Sequence, residues 1–280
     1  MRRLVLLAAL LASPLAAPLA GQASARPDTP RAILDAHVHL DGGALPSLAA
    51  QRPGRAPVTL AGVVAHLPAG VSEPTRGSPV PRNVRWCGGV GAEPDTLALA
   101  RALEAKRIAC MKVYLGYVPR WASDPVYEPV YRLGARYRVP VVFHTGDTSD
   151  PDALVKYADP LTVDEVAVRH RDVTFVIAHC GNPWLQSAAE VAYKNPNVIL
   201  ECSALMTGSV DELDPEIRER YVVDAIRWVF GYVEDPGKLM FGTDFPLVDV
   251  EPYLRAYEDA IPREHWQAVF FDNAARLFGF

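Results

Sequence analysis

The feature that most constrains this chain is an alternation running from about residue 85 to the end, in which short β-branched apolar runs are each followed by a segment of helical spacing. Runs 108–115, 139–144, 173–179, 198–203 and 238–242 precede helical segments 126–137, 163–170, 184–193 and 215–230, then 252–260 and 263–278. Continuous apolar runs mark strands buried on both faces, which belong to parallel sheets covered by helices. Runs 33–40, 61–66 and 85–90, with a helix over 95–107 capped at Asp95, bring the strand candidates to eight. That number predicts a single-domain TIM (β/α)8 barrel, for which 26–280 is close to the usual length of about 250 residues. The barrel is expected to be somewhat shortened between strands one and three, where 68–82 is rich in Pro, Gly and Ser. An open doubly wound sheet is the alternative, but no G-x-G-x-x-G follows the first strand.

Residues 1–25 read as a signal peptide, with a positive start at Arg2-Arg3, a short Leu/Ala run and the small residues Ala23-Ser24-Ala25. The apolar run is too short to span a bilayer, so the expectation is export to a periplasmic or extracellular location, with no membrane attachment after cleavage. A formal charge of −5 argues against a nucleic-acid surface, which needs clustered Lys and Arg. The partner expected is a small-molecule substrate, and both a monomer and a homo-oligomer stay open. The four cysteines, Cys87, Cys110, Cys180 and Cys202, lack C-x-x-C spacing. An even count in an exported chain invites disulfides. Yet disulfide frameworks belong mainly to small domains without a core, so free, buried thiols are expected here.

The first strand reads I-L-D-A-H-V-H-L, and simple alternation puts Asp35, His37 and His39 on one face. Two imidazoles one strand repeat apart can converge on one cation. His144 in V-V-F-H-T-G-D, His179 in F-V-I-A-H-C-G and Asp244 in L-M-F-G-T-D-F-P each stand where a strand gives way to Gly or Pro. Such strand ends form the C-terminal rim of a barrel, where its active sites lie. Burying several ionisable groups there is costly unless they share a cation.

His37-x-His39, His144, His179 and Asp244 in G-T-D-F-P together resemble the amidohydrolase superfamily, and in particular the branch of aminocarboxymuconate semialdehyde decarboxylase and related metal-dependent hydrolases. The closing Asn273-Ala274-Ala275-Arg276-Leu277-Phe278-Gly279 is similar to that branch as well. The resemblance implies that His37, His39, His144 and Asp244 hold one divalent ion, usually zinc. Asp244 and His179 would then be the catalytic pair, Asp244 moving protons and His179 stabilising an oxyanion. It implies a hydrolase acting on a C–N or C–O bond, with a non-hydrolytic decarboxylase as the alternative. Lys112 on the fourth strand is either a substrate contact or, as in binuclear relatives, a carboxylated bridge between two ions. Tyr114 and the loop pair Arg120-Trp121 are further substrate-contact candidates, Asp35 and Glu201 are candidate supports, and His66 ends the second strand facing the same region.

Overall fold

The computed structural model describes residues 31–40, 57–75 and 81–280. The leader assigned to 1–25 and most of the loop that opens at 41 lie outside these residues. Among the described residues no helix is long and apolar enough to cross a membrane.

Eight parallel strands pair in sequence order: β1 (Arg31–Val38), β2 (Val58–His66), β3 (Val84–Val90), β4 (Cys110–Tyr114), β5 (Val141–His144), β6 (Phe175–Ile177), β7 (Val198–Glu201) and β8 (Leu239–Met240). Backbone bonds from Ala36 N to Phe241 O (3.0 Å) and from Asp244 N to His37 O (2.7 Å) bring β8 back to β1, closing the TIM barrel. Helices α1 (Thr96–Glu104), α2 (Glu128–Tyr137), α3 (Leu161–Arg169) and α4 (Leu185–Lys194) follow β3 to β6 in turn. After β7 come α5 (Pro215–Arg218) and α6 (Asp224–Val233), joined by a π-turn, and after β8 come α7 (Val250–Ala260) and α8 (Asn273–Phe278). The expected cap is present: the Asp95 carboxylate accepts from Ala98 N at 2.9 Å, satisfying one of the free amides of the first turn of α1. Among the described residues no helix lies between β1 and β3; residues 41–56 and 76–80 of that stretch lie outside them.

The outer strand faces pack against the helices through residues such as Met111, Val113, Phe143 and Phe175, which meet Tyr131, Val163, Ile226 and Tyr253. The barrel interior holds a second cluster with at least one residue from every strand: Leu34 and Ala36, Val64, Cys87, Cys110, Val142, Val176, Ile199 and Met240. Ala274 and Phe278 of α8 join this floor from below. Simple alternation fails in β1, because the β1–β2 register shifts between Asp35 and Val38. Asp35 instead ties β1 to β8, accepting from His37 N (3.1 Å), Thr243 N (3.0 Å) and Thr243 Oγ1 (2.6 Å).

The cysteines correct the expectation of free thiols. Cys87 and Cys110 are register partners on β3 and β4 and form a disulfide, with Cα atoms 4.4 Å apart. Cys180 and Cys202 form a second, at 4.6 Å. Neighbouring strands lie about 4.7–4.9 Å apart, so two cysteines level with each other on adjacent strands stand within disulfide reach whatever the size of the core.

Candidate metal centre

Two residues beyond the apolar floor, the same strands present His66, Gly89, Lys112, His144, Glu201 and Gly242. Side chains of a barrel interior stack in such layers, and here the second layer is ionisable. Its glycines make room: a Cβ on Gly242 would stand 2.6 Å from Glu201 Oε2 and 3.3 Å from His37 Cβ. Above this layer the strand ends of β1, β6, β7 and β8 deliver His37, His39, His179, Ser203 and Asp244. All of these except the partly exposed His39 are buried.

Hydrogen bonds fix which ring nitrogens carry protons. The His66 carbonyl can only accept, so His39 Nδ1, 3.2 Å away, is its donor. His37 Nδ1 lies 2.7 Å from Glu201 Oε1 and donates to that carboxylate. With both rings neutral, each then carries a lone pair on Nε2, and both lone pairs face the same atom: Asp244 Oδ1 is 3.2 Å from His39 Nε2 and 3.5 Å from His37 Nε2. Asp244 Oδ1 is buried and has no hydrogen-bond partner. Three acceptors converging in a largely buried site repel one another unless a positive charge lies between them. Imidazole and carboxylate together suit a divalent transition ion, so the donor set fits a metal. The ligand atoms of His37, His39 and Asp244 lie within 4.8 Å of one another, and so do those of His37, His179 and Glu201.

Burial drives the imidazoles of His37 and His144 well below their ordinary range and that of His179 down to about 4, so all three are neutral at pH 7 and able to ligate. Burial also pushes Asp35 up to about 7 and raises Glu201. Lys112 is pushed down to about 8, with Glu201 and Asp244 opposing the fall.

All five residues of the histidine and aspartate set line one cavity of about 410 Å³ at the mouth, together with Lys112 and Tyr114. Within it the placements differ. His144 directs Nε2 to the Asp147 carbonyl at 2.9 Å, and its ring centre is 4.8 Å from that of His179. Lys112 Nζ is 3.4 Å from His37 Nε2. Tyr114 donates its hydroxyl to the Leu67 carbonyl at 2.6 Å, which fixes the ring at the wall. Arg120 turns away to Glu93 and Asp124. Tyr117 is new to the set: its ring packs edge-on against His144, and its hydroxyl is 3.1 Å from Ser149 Oγ. Two strand-end residues stand in left-handed backbone, Asp244 at φ 69° and His179 at φ 59°. Such conformations cost about 1–3 kcal/mol each and cluster at functional sites.

The amidohydrolase family model matches residues 76–280. Among solved structures, an Acinetobacter baumannii protein described as a probable 2-pyrone-4,6-dicarboxylic acid hydrolase, with citric acid bound, is 14% identical, with a TM-score of 0.59 over 89% of this chain and 99% of its own. The 5-carboxyvanillate decarboxylase of Novosphingobium aromaticivorans, complexed with manganese and a nitrobenzoic acid, is 13% identical, with a TM-score of 0.57 over 79% and 77%. An uncharacterised TIM-barrel protein of Bordetella bronchiseptica is 20% identical, with a TM-score of 0.54 over 77% of this chain and 66% of its own length. No curated protein sequence matches the chain.

Proposed function

The chain belongs to the amidohydrolase family, and from that premise we propose that it is a metal-dependent hydrolase cleaving a C–N or C–O bond of a small molecule. The observation that carries this reading is the buried, partnerless Asp244 Oδ1 facing two imidazole lone pairs. His37, His39 and Asp244 would hold one ion, zinc by preference, and His144 and His179 line the same cavity. A divalent cation held there would polarise a substrate carbonyl and bring the pKa of a water molecule down toward neutral. Asp244 takes a proton from the water that adds to the carbonyl carbon and passes it to the departing nitrogen or oxygen as that bond breaks. His179 lines the same cavity with its Nε2 lone pair and orients that water as an acceptor. A cavity of about 410 Å³ suits a small ligand.

One observation favours a second reading, a metal-dependent decarboxylase. Lys112 brings a buried cation to the cavity wall, which suits a substrate carboxylate, and one structurally similar protein is a manganese-bound decarboxylase. A carboxylated Lys112 bridging two ions is the variant of the hydrolase reading that mass spectrometry of intact protein decides. Export is part of the proposal too: two disulfides and the leader-like 1–25 suit an oxidising compartment.

The test is turnover on panels of amides, lactones and aromatic acids before and after exhaustive chelation. Amine or alcohol release that stops on chelation and returns with added ion is expected. Carbon dioxide release instead selects the decarboxylase, and turnover indifferent to chelation overturns both.

A further inference from the structure

Behind the two histidines on the cavity side lies a polar group that sequence reading passed over. Ser203, fully buried just past β7, places Oγ 2.9 Å from His179 Nδ1, 3.3 Å from His37 Nδ1 and 3.1 Å from Glu201 Oε1. Its backbone amide donates to Glu201 Oε2 at 2.9 Å, and the amide of His179 donates to Glu201 Oε1 at 3.3 Å. Proton counting leaves one consistent arrangement. Glu201 Oε1 accepts both from His37 Nδ1–H and from the Ser203 hydroxyl. With its single proton spent on Glu201, Ser203 Oγ can only accept from His179. The Ser203 carbonyl, 3.3 Å from the same His179 nitrogen, also only accepts, which again places the proton on Nδ1.

We propose that Ser203 and Glu201 form one positioning unit that holds the imidazoles of His37 and His179 in the same Nδ1–H tautomer and thereby keeps both Nε2 lone pairs free for the cavity. Only what those lone pairs hold rests on the metal-centre reading. The second disulfide frames the unit, because Cys180 directly follows His179 and Cys202 stands between Glu201 and Ser203. Gly242 belongs to it as well, since any side chain there would strike Glu201. Groups behind a ligating imidazole that fix its tautomer typically change metal affinity 10–100-fold when removed.

The experiment is long-range 1H–15N correlation of the histidine rings in chelated, full-length protein near neutral pH, with signals assigned through His37→Gln and His179→Gln. Both rings are expected as Nδ1–H in the unsubstituted protein. Ser203→Ala keeps the backbone amide on Glu201 and the backbone carbonyl beside His179 and removes only the hydroxyl, so the Nδ1–H fraction of His179 should fall measurably while His37 stays, and Ser203→Thr should restore the original pattern. Competition for zinc against a chromophoric chelator should show Glu201→Gln weakened by about 10–100-fold. His179 carrying its proton on Nε2 in the unsubstituted protein, or a His179 signal unmoved in Ser203→Ala, overturns the proposal. The unsubstituted spectrum decides the matter even if a variant fails to fold. The expected tautomers without zinc binding would leave the unit standing and remove the metal reading, whereas zinc binding with the opposite tautomer would do the reverse.

Discussion

Two layers of the barrel interior, one strand repeat apart on the same chain segments, are built by opposite rules. The floor, from Leu34 and Val64 round to Ile199 and Met240, is apolar and closed from below by Phe278. The layer above it carries His66, Lys112, His144 and Glu201, and the strand ends add His37, His39, His179 and Asp244. Nothing in the floor lacks a partner, whereas the upper set leaves an acceptor facing acceptors at Asp244 Oδ1. The difference teaches where stability and chemistry reside in this barrel: packing satisfies the floor completely, and the mouth waits on a group from outside.

The comparison breaks most sharply at the mouth. His37→Ala or Asp244→Asn should lower turnover by at least about 10³-fold, because several kcal/mol of transition-state stabilisation by the ion go with it. The chelated Asp244→Asn variant should melt no lower than chelated wild type, since the change removes one of the facing acceptors without opening a cavity. Steady-state kinetics and thermal unfolding on the same samples check both halves. A lost fold in Asp244→Asn would erase the distinction between the layers.

The floor should behave in the reverse sense. Met240→Ala opens a cavity in a fully buried position and should destabilise the protein by about 2–5 kcal/mol in denaturant titration. Its metal content should be unchanged.

A weaker effect comes from Asp35, which ties β1 to Thr243 after β8. Its folded-state pKa is about 7 against an ordinary value of 3.8, so the folded protein binds the extra proton between those values. This contribution is fully present below about pH 4 and is lost as pH rises to about 7. Stability of the chelated protein should therefore fall over that window, and Asp35→Asn, which cannot ionise, should flatten the profile.

The smallest effect lies outside both layers. Lys194 and Asp164 pair at 2.6 Å on the helical surface and are partly exposed. Lys194→Met should cost about 0.5 kcal/mol or less, because solvent screens such pairs. It should leave turnover untouched.

The sequence made the strands legible because each buried strand is a continuous β-branched run, and this held even for β8, whose ladder is only Leu239–Met240. The convergence of His37, His39, His179 and Asp244 was legible because strand ends of a barrel must meet at one mouth. The disulfides were not, since cysteine pairing depends on register. The signal was nonetheless present in the separations of 23 and 22 residues, each spanning one strand-to-strand repeat. Ser203 was missed because a serine after a strand is ordinary until Glu201 and two imidazoles are placed around it. The failed alternation in β1 was illegible for a similar reason: a register shift leaves no mark in composition.

The central claim is that His37, His39 and Asp244 share one cation, and calorimetric titration of zinc into fully chelated protein tests it most directly. The account predicts one tight site in the unsubstituted protein, lost in both His37→Ala and Asp244→Asn. Stoichiometric binding retained by both variants would contradict it.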